Sequence, residues 1–569
     1  MNILAINDAR TDAGIAYYKN NKLKFAISEE RITRVKTKGG FPRKSLKYFA
    51  TEYAKELDSI SCIVFAGILT PAPITRLFTK IVDYDEANRK YDKKGIFDLM
   101  KWFIEYKLRL TTKTRPNSKL ANLISKIIKN SLKKKLPEKI RNKPIYFVEH
   151  HICHANTAFF SSGFDESLVA SFDGFGDSYS AKIYVANEKK MKCVYKINAL
   201  DSFALFYAQI TEFFGFKPDK HEGKVTGLAA FGNETNVKEE FPFIIGDNFK
   251  VRYTGKHGMI GLNYLKKKFY KYKREDVAAW LQNNTERFVC KIISHFMKET
   301  NQNNICLVGG LFGNVKLNQR VHELTEVKKI YIYPAMGDMG IAHGAALTIS
   351  KEHEKINSVF YGPKYSDKEI ENALIEYKLV CKRENNIEKK IAKLLANGKI
   401  VARFNGRMEY GPRALGNRSI LVQATDKNIN DFLNKKLKRT EFMPFAPTIL
   451  DKFAPQCIEQ LSGAELTSKF MNLSFNVTDY MKETCPAAVH IDNTARPQIL
   501  FKEDNESFHK ILEEYYKLTN IPAIINTSFN IHEEPIVMTP EDAIRGFLEA
   551  KLDYLAIGNF IVKFDQNVN

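Results

Sequence analysis

Short apolar runs that end in acidic or glycine-rich turns recur along this chain. A run of strand length leads to Asp12 and is followed by two alternating segments around a Lys-Asn-Asn turn, which predict a hairpin. After Ser167 the same order returns, with an apolar run, an Asp-Gly loop and a second hairpin. We therefore predict an α/β fold whose first part is a duplicated unit that clamps a ligand between two acidic loops. The predicted strands are 2–6, 14–18, 23–28, 181–186, 191–197, 305–308 and 400–404.

The pattern changes near residue 361, where Tyr-Gly-Pro precedes a new helix. Ser366 and Glu369 have the spacing of a capping box, which marks a helix start. We place a domain boundary here, so that residues 1–358 form one domain and residues 359–569 a smaller one.

Two histidines four residues apart, His150 and His154, are the first candidate for chemistry. On a helix this spacing puts both imidazoles on one face, close enough to share a metal ion. Asp338 lies between glycines after a later strand and could complete a two-histidine, one-carboxylate set, which suits a divalent metal such as Fe²⁺.

Glycine-rich loops follow several of the predicted strands. Glycine lets backbone N–H groups approach a phosphate, and nearby carboxylates can hold a cation. An amide and hydroxyl motif after a late apolar strand has groups suited to a nucleotide. The candidate nucleotide contacts from these loops are Asp173, Gly174, Gly176, Gly309, Gly310, Asn314, Asn526 and Ser528.

The second domain carries an arginine-rich segment over 406–419. Three arginines and several glycines in so few residues fit a core poorly and can hold a phosphoryl group by bidentate hydrogen bonds. Arg413 and Arg418 belong to this segment, Lys436 adds positive charge downstream, and Arg496 lies in a further polar cluster.

Composition narrows the class of protein. The eight cysteines include no C-x-x-C pair, which favours a reducing compartment over a disulfide framework or zinc knuckles. No signal-length or membrane-spanning apolar stretch occurs, so we expect a cytoplasmic protein. The net charge is +22, and residues 86–141 hold 17 Lys and Arg against 5 Asp and Glu. This basic segment is either a solvated helical insertion or a contact for an anionic or membrane-associated acceptor.

Several motifs together resemble a known family. In order along the chain these are Glu-Glu-Arg-Ile-Thr-Arg, His-His-x-x-His-Ala, Asp-Gly-x-Gly-Asp, Glu-Gly-Lys-Val-x-Gly-Leu-Ala, Gly-Asp-x-Gly, Glu-x-Gly-Pro-Arg-Ala-Leu-Gly-Asn-Arg-Ser, Pro-Phe-Ala-Pro and Asn-Thr-Ser-Phe-Asn. The chain resembles the O-carbamoyltransferases of the nodulation-factor and antibiotic-tailoring type. The resemblance implies a duplicated ASKHA-type (actin-like) N-terminal domain, similar to threonylcarbamoyl-transfer proteins, followed by a YrdC-like α/β domain.

The resemblance also implies a two-step reaction. The second domain would make carbamoyl-adenylate from carbamoyl phosphate and ATP with Mg²⁺, and the first would transfer the carbamoyl group to an acceptor hydroxyl. Residues that match the family motifs are His150, His154 and Asp338 for the metal, Gly227, Gly309, Gly310 and Asn314 for the nucleotide in the transfer site, and Arg413, Arg418, Lys436, Arg496 and Asn526 for carbamoyl phosphate and ATP.

Asp12 is our candidate for the general base, since we expect its loop to face the metal. The chain departs from the family at three positions. Thr11 and Thr37 stand where histidines are common, and Glu533 stands where glycine is usual. The two threonines lie toward the expected acceptor cleft and leave the acceptor and the base open.

Two other functions compete with this interpretation. The first is a tRNA threonylcarbamoyl-transfer enzyme, which would explain the basic surface but usually has its two domains on separate chains. The second is a scaffold that holds a metal and a nucleotide and binds a partner without turnover. A protein-cysteine carbamoyltransferase of hydrogenase maturation would carry an acylphosphatase module and C-x-x-C zinc pairs, and neither is present. The partners we expect are carbamoyl phosphate, ATP, a sugar or secondary-metabolite acceptor and a second copy of the chain, and no nucleic acid.

Overall fold

The first part of the chain folds around two five-stranded sheets. The computed structural model describes residues 1–71, 76, 119–350, 353, 355–438 and 445–565. The strands of the first sheet are β1 (Ile3–Asn7), β2 (Gly14–Lys19), β3 (Lys22–Ser28), β4 (Cys62–Ala66) and β5 (Ile145–Val148). Those of the second are β6 (Glu166–Gly176), β7 (Tyr179–Asn187), β8 (Lys190–Asn198), β11 (Asn304–Val308) and β12 (Lys329–Ile332), and the short hairpin of β9 (Phe243–Ile245) and β10 (Val251–Tyr253) precedes β11.

The two sheets repeat one topology. The first has the order β3-β2-β1-β4-β5 and the second β8-β7-β6-β11-β12. In each, the first three strands form an antiparallel meander, and the other two run parallel to the meander's first strand. Every residue of β1 and of β4 is buried, as expected for strands covered on both faces. The repeat along the sequence therefore corresponds to a repeat in space.

Helices cover these sheets and fill the space between them. In the first part they are α1 (Glu29–Thr33), α2 (Arg43–Glu52), α3 (Lys119–Lys133), α4 (His150–Ser162), α5 (Phe203–Phe213), α6 (Glu222–Leu228), α7 (Gly258–Phe269), α8 (Arg274–Thr300), α9 (Val315–His322) and α10 (Ile341–Ile349). Small residues of α4 and α10 share one hydrophobic core with β1, β4, β6 and β11. The two helices thus lie between the sheets, which fixes the position of the histidines at the start of α4.

The second part is built on one eight-stranded mixed sheet. Its order is β13-β22-β21-β14-β15-β20-β16-β19, and β17 (Phe475–Asn476) pairs separately with β18 (Thr494–Ala495). The sheet strands are β13 (Cys381–Arg383), β14 (Val401–Phe404), β15 (Arg418–Gln423), β16 (Pro447–Leu450), β19 (Gln498–Leu500), β20 (Ala523–Ser528), β21 (Tyr554–Ile557) and β22 (Phe560–Lys563). The helices are α11 (Asp367–Glu376), α12 (Ile387–Ala396), α13 (Ile429–Lys436), α14 (Ala454–Cys457), α15 (Glu465–Ser468), α16 (Asp479–Thr484), α17 (Glu506–Thr519) and α18 (Pro540–Ala550).

The predicted elements agree with this architecture. The seven predicted strands are present with shifts of one or two residues at their ends, and the α/β class is confirmed. Ser366 and Glu369 form the predicted capping box at the start of α11. Among the described residues, no helix is long and apolar enough to cross a membrane.

Much of the predicted basic segment, residues 86–118, lies outside the described residues. The rest contains α3, whose Ile128 and Leu132 are buried in the core beside the first sheet. Leu123 and Ile127 of the same helix are exposed. The predicted amphipathic helix is therefore present, with part of its apolar face packed and part facing outward.

Candidate active site

Helix α4 begins at the first histidine of the predicted pair. The Glu149 carboxylate caps it by accepting a hydrogen bond from the Ile152 N–H at 2.9 Å, and the same residue forms a 2.8 Å ion pair with Lys182. The Asp177 carboxylate accepts from the His150 N–H at 2.8 Å and from the N–H groups of residues 68–70. Asp177 therefore fixes the start of α4 against the loop after β4.

Four side chains converge at this end of the helix. The nearest ring atom of His150, Nε2, lies 3.0 Å from Asp173 Oδ2 and 3.5 Å from Asp338 Oδ1. His154 Nε2 lies 3.7 Å and 3.4 Å from the same two oxygens. One donor atom from each residue lies within 4.8 Å of the others, an arrangement that could hold one metal ion.

The donor set fits a divalent metal. His154 Nε2 and Asp338 Oδ1 are buried and have no hydrogen-bond partner within the described part of the chain, although such groups are normally satisfied. Two imidazoles with carboxylates are ligands that non-haem Fe²⁺ and related metals prefer. The sequence predicted three of the four residues as ligands. It assigned Asp173 to a nucleotide instead, although an Asp-Gly loop at the end of a strand was a usable signal for a cation ligand.

The carboxylates dominate the electrostatics of the cluster. Burial lowers the pKa of His150, but the charges of Asp338 and Asp173 outweigh it and raise the pKa to about 9. Burial raises the pKa of Asp173, and its contacts with the two histidines reverse this and hold the pKa well below its usual range. The two carboxylates thus favour positive charge at this site, either as protons on the histidines or as a bound metal ion.

Gly176 has a packing role in this cluster. A Cβ atom there would lie 2.0 Å from Cδ2 of His150, closer than any real contact. Gly176 is absent from the residues that line the cavity described below, whereas Gly174 lines it, and a Cβ at Gly174 would make only an ordinary contact with Leu205 at 3.6 Å. The His150 ring thus gives a packing reason for the second glycine of the Asp-Gly-x-Gly-Asp motif, and the nucleotide contact of Gly176 stays a prediction.

Asp12 lies near the cluster on the opposite acidic loop. The Asn7 Nδ2 donates to the carbonyl oxygens of Asp12 at 2.9 Å and of Asp338 at 2.8 Å, so one amide joins the two loops. Burial raises the pKa of Asp12 well above its usual range, and Glu30, Asp338 and Asp219 raise it further. A carboxylate of raised pKa accepts a proton more readily, as a general base requires.

A cavity of about 990 Å³ connects these groups. Its wall includes Asp12, Asp173 and Asp338 from the first part of the chain and Arg413 and Ser528 from the second. Both threonines at the departures from the family, at positions 11 and 37, also line it. The cavity therefore lies between the two parts and reaches both the acidic cluster and the arginine-rich segment.

The glycines predicted to contact a nucleotide differ in their position. Gly309 has φ of +101°, and a Cβ there would lie 2.1 Å from the Phe172 carbonyl, so the tight turn requires glycine. The Gly310 N–H donates to Asp173 Oδ1 at 3.0 Å, and Gly310 and Asn314 line the cavity. Gly227 is buried in α6, one residue after the cavity residue Thr226.

Asn526 is part of a buried amide cluster. Its Nδ2 donates to Thr448 Oγ1 at 3.1 Å and to Gln498 Oε1 at 2.9 Å. Its Oδ1 is buried without a hydrogen-bond partner among the described residues. The free oxygen could accept a hydrogen bond from a ligand.

Two of the predicted arginines form a positively charged pair. Burial lowers the pKa of Arg413 well below its usual range, and the charge of Arg496 lowers it further. Burial lowers the pKa of Arg496 to about 10. Among the described residues no carboxylate pairs with either guanidinium, and Arg413 Nε has no hydrogen-bond partner. Two half-buried cations without a counter-ion are an arrangement that favours an anion.

The other two predicted cations point elsewhere. The Arg418 guanidinium is fully buried, stacks on the Phe404 ring at 3.7 Å, and donates to the backbone carbonyls of Asn405 and Gly406 at 2.6 and 3.2 Å. Lys436 donates to the carbonyl of Lys551. The structure thus brings Arg413 and Arg496 together. Arg418 holds the backbone at residues 405–406, and Lys436 contacts Lys551 instead of the arginine pair.

Side chains of the Glu-Glu-Arg-Ile-Thr-Arg motif join the two parts of the chain. Arg31 donates to the Gly411 carbonyl at 2.8 Å, and Arg34 donates to the carbonyls of Pro535 and Ile536 at 2.6 and 2.7 Å. On the other side of the cavity, Glu533 contacts His221 and Lys217 at 2.7 and 2.6 Å. No local sequence pattern predicts these contacts, because they join residues more than 300 positions apart.

Comparisons with known proteins identify the family of this chain. Residues 2–347 match the family model "Carbamoyltransferase N-terminus" and residues 392–563 match "Carbamoyltransferase C-terminus". The chain is 33% identical to an uncharacterized protein of Methanocaldococcus jannaschii over 98% of this chain and 99% of that one. It is 28% identical to the nodulation protein NolNO of Sinorhizobium fredii, over 97% of this chain and 79% of that one.

Two further similarities have lower coverage. The nodulation protein NolO of Bradyrhizobium diazoefficiens is 32% identical over 73% of this chain and 79% of its own. Among solved structures, that of full-length HypF in the phosphate- and nucleotide-bound form is 13% identical with a TM-score of 0.34, over 62% of this chain and 47% of that one. The family models alone span most of the sequence, and by them this chain belongs to the carbamoyltransferase family and is a carbamoyltransferase enzyme.

Proposed function

We propose that this enzyme is an ATP-dependent O-carbamoyltransferase with two reaction centres. Residues 359–569 would first hydrolyse carbamoyl phosphate with one water to carbamate and phosphate. The carbamate oxygen would then form a bond to the α-phosphorus of ATP, the bond from that phosphorus to the β-phosphate oxygen would break, and carbamoyl-adenylate and pyrophosphate would result. Residues 1–358 would then transfer the carbamoyl group to a hydroxyl of a sugar or secondary-metabolite acceptor. The motifs that resemble O-carbamoyltransferases of the nodulation-factor type, together with similarity to the nodulation proteins NolNO and NolO, support the choice of a small-molecule or glycan acceptor over tRNA.

The arginine pair supports an anion-activating centre in the second part. Carbamoyl phosphate and ATP carry several negative charges, and a site for both must offer cations that are not already neutralised. Arg413 and Arg496 meet this requirement, and the free Asn526 oxygen offers an acceptor for a ligand N–H group.

The cavity is the observation that carries the proposal. It is lined at one side by Arg413 and Ser528 and at another by Asp12, Asp173 and Asp338. Its volume of about 990 Å³ is at the upper end of the range of small-molecule sites, which is large enough for an adenylate and part of an acceptor. A reactive adenylate could therefore move between the two centres without leaving the protein.

The acidic cluster supports the transfer step. A divalent metal, Fe²⁺ in our proposal, held by His150, His154, Asp338 and Asp173 would supply a Lewis acid near the phosphate or carbamoyl group. In the transfer, the acceptor oxygen forms a bond to the carbamoyl carbon, the bond from that carbon to the adenylate oxygen breaks, and AMP leaves with the electron pair.

Asp12 is the proposed acceptor of the hydroxyl proton. It lines the cavity, and Asn7 holds its loop beside Asp338. An unactivated hydroxyl is a poor nucleophile, so a base within hydrogen-bond reach is needed. Thr11 and Thr37 lie on the same wall, and we propose that they help to select the acceptor.

The topology supports the domain assignment. Two sheets of the same order and strand direction fit a duplicated ASKHA-type domain for residues 1–358. The single mixed sheet of the second part fits the YrdC-like assignment for residues 359–569. In this arrangement the paired acidic loops of the duplicated domain face the ligand from opposite sides.

Two measurements separate the two centres. Carbamoyl-phosphate-dependent exchange of labelled pyrophosphate into ATP reports adenylate formation, and AMP release with labelled carbamoyl product in a metabolite extract reports transfer. We expect His154→Ala to retain exchange and lose transfer by at least a hundredfold. We expect Arg496→Met to lose exchange by a similar factor.

The matched control is Arg383→Met, which removes an exposed arginine that pairs with Asp367 on the surface. It should leave both measurements unchanged. Metal-replete wild-type protein without any carbamoyl-phosphate-dependent exchange would contradict the proposal and favour a non-catalytic role for the second part. Loss of exchange in His154→Ala would contradict the division into two centres.

A further inference from the structure

Helix α7 begins at the rim of the cavity and has two distinct faces. Leu265 and Phe269 are buried and, with Gly261, follow one another at intervals of four, so this face packs on the protein core. His257, Met259 and Ile260 at the start of the helix line the cavity. The opposite face is therefore directed outward beside the cavity entrance.

The outward face is unusually apolar for a surface helix. Ile260 is 69% exposed and Tyr270, directly after the helix, is 81% exposed, and Met259 and Tyr264 are exposed as well. Ile260 and Tyr264 are four residues apart and so lie on the same side of the helix. A cluster of exposed large apolar residues of this kind marks an interaction surface more often than single exposed residues do.

The sequence around this face carries only positively charged residues among its ionised side chains. Residues 250–274 contain nine Lys and Arg and no Asp or Glu. Within the part of the chain that is described, Lys266, Lys267 and Lys273 are exposed and form no ion pair, while Lys268 and Lys271 lie 3.6 and 3.7 Å from Glu239. The α7 face, defined as Met259, Ile260, Tyr264, Lys266, Lys267 and Tyr270, is thus apolar in its first turn and cationic farther along.

We propose that the α7 face docks the enzyme on an anionic lipid bilayer. Tyrosine and aliphatic side chains enter the boundary between head groups and acyl chains, and lysines beside them contact anionic head groups. Ile260 and Met259 favour lipid over single-stranded nucleic acid, because aliphatic side chains offer no ring on which a base can stack. Docking would place the cavity entrance at the bilayer surface.

The test is co-sedimentation of the full-length protein with vesicles of phosphatidylcholine alone or mixed with phosphatidylglycerol. Wild-type protein should bind only the mixed vesicles and should dissociate at high salt, because the screening length falls from about 10 Å at 0.1 M to about 3 Å at 1 M. Lys266→Gln with Lys267→Gln should lower the partition coefficient by roughly 25-fold, since each lysine near an anionic surface contributes about fivefold. Tyr264→Ser with Tyr270→Ser should lower it by at least fivefold while pyrophosphate exchange is retained.

Two controls make the result specific to α7. Lys126→Gln with Lys129→Gln removes the same charge from α3, another basic amphipathic helix, and should leave binding within twofold of wild type. Val380→Ser changes an 88% exposed apolar residue in the second part and should also have no effect. The proposal is overturned if wild-type protein does not bind the mixed vesicles, or if both lysine pairs lower binding equally. It is also overturned if the protein binds an RNA oligonucleotide instead of vesicles and this binding depends on Lys266 and Lys267.

Discussion

The imidazole of His150 occupies the position where a side chain at Gly176 would begin. The ring's Cδ2 lies 2.0 Å from an ideal Cβ at that glycine, on the strand that also carries Asp173. The strand and helix α4 can approach closely enough to bring carboxylate and imidazole together only because this position has no side chain. The glycine thus determines the geometry of the acidic cluster.

We predict that Gly176→Ala removes the metal. The added methyl group must displace the His150 ring or the strand, and a shift of about 1 Å in a ligand is enough to impair a metal site. Metal content measured by mass spectrometry should fall to less than a tenth of the wild-type value, and transfer should fall with it. Pyrophosphate exchange should be retained.

Gly174→Ala is the matched control for this change. An ideal Cβ at Gly174 has Leu205 Cδ2 as its nearest atom at 3.6 Å, an ordinary contact. The metal content of Gly174→Ala should equal that of wild type. Equal metal loss in the two variants would show that any side chain in this loop disturbs the fold, and full metal content in Gly176→Ala would contradict the role of His150 as a ligand.

The two arginines Arg496 and Arg418 should respond in opposite ways to removal of their charge. Arg496 is held near another cation, and replacing it by methionine relieves both its desolvation and the repulsion of Arg413. We expect Arg496→Met to raise the free energy of unfolding by about 1 kcal/mol while exchange is lost. Urea unfolding and the exchange assay measure the two effects.

Arg418→Met should instead destabilise the protein. Its guanidinium donates to the carbonyls of Asn405, Gly406 and Asn417, and the first two would lose this donor in a partly buried region, while the Asn417 carbonyl keeps the Asn405 N–H. The expected cost is about 3 kcal/mol or more. If Arg418→Met kept full stability and only weakened binding of carbamoyl phosphate, the sequence-based assignment of Arg418 as a ligand would be correct and the structural role wrong.

These two arginines show what the sequence could reveal. Strand ends, the helical histidine pair and the capping box follow from local patterns of residues, and the structure confirms them within one or two positions. Whether a guanidinium points to a ligand or to backbone carbonyls depends on the path of the loop around it, which no local pattern encodes. Asp173 was assigned to a nucleotide for the same reason, since its distance to His150 is set by packing between a helix and a strand.

Glu222 should give the stability of the protein a measurable pH dependence. Burial, together with the charge of Asp219, raises the pKa of this cavity-lining carboxyl group from 4.5 to about 7. Between pH 4.5 and pH 7 the carboxyl group of Glu222 is ionised in the unfolded chain and protonated in the folded protein. The free energy of unfolding therefore falls as the pH rises through this range. The loss should total roughly 1–3 kcal/mol across the window.

Glu222→Gln isolates this contribution. At pH 4.5 and below, the wild type and the variant should have similar free energies of unfolding, and above pH 7 the variant should be the more stable. Urea unfolding at pH 4.5, 6, 7 and 8 gives the difference directly, and other titrating groups cancel in it. A difference that is constant over this range would show that Glu222 has an ordinary pKa.

Glu533 tests how the chain tolerates a departure from its family. Its backbone has φ of +67°, in the left-handed region where the glycine usual in the family carries no penalty and other residues cost about 1 kcal/mol. The side chain offsets this strain by contacting Lys217 and His221 across the two parts of the chain. We predict that Glu533→Ala, which keeps the strain and loses both contacts, is less stable than wild type by 1–2 kcal/mol.

Glu533→Gly loses the same contacts but relieves the strain, so it should be more stable than Glu533→Ala by about 1 kcal/mol. Thermal unfolding of the three proteins under identical conditions measures this order. Because the contacts hold residues 217–223 beside the cavity, both variants should also raise the KM for the acceptor and leave pyrophosphate exchange unchanged. If the glycine and alanine variants have equal stability, the backbone at this position is not strained. If the KM for the acceptor is unchanged in both, the contacts stabilise the fold and do not shape the cavity.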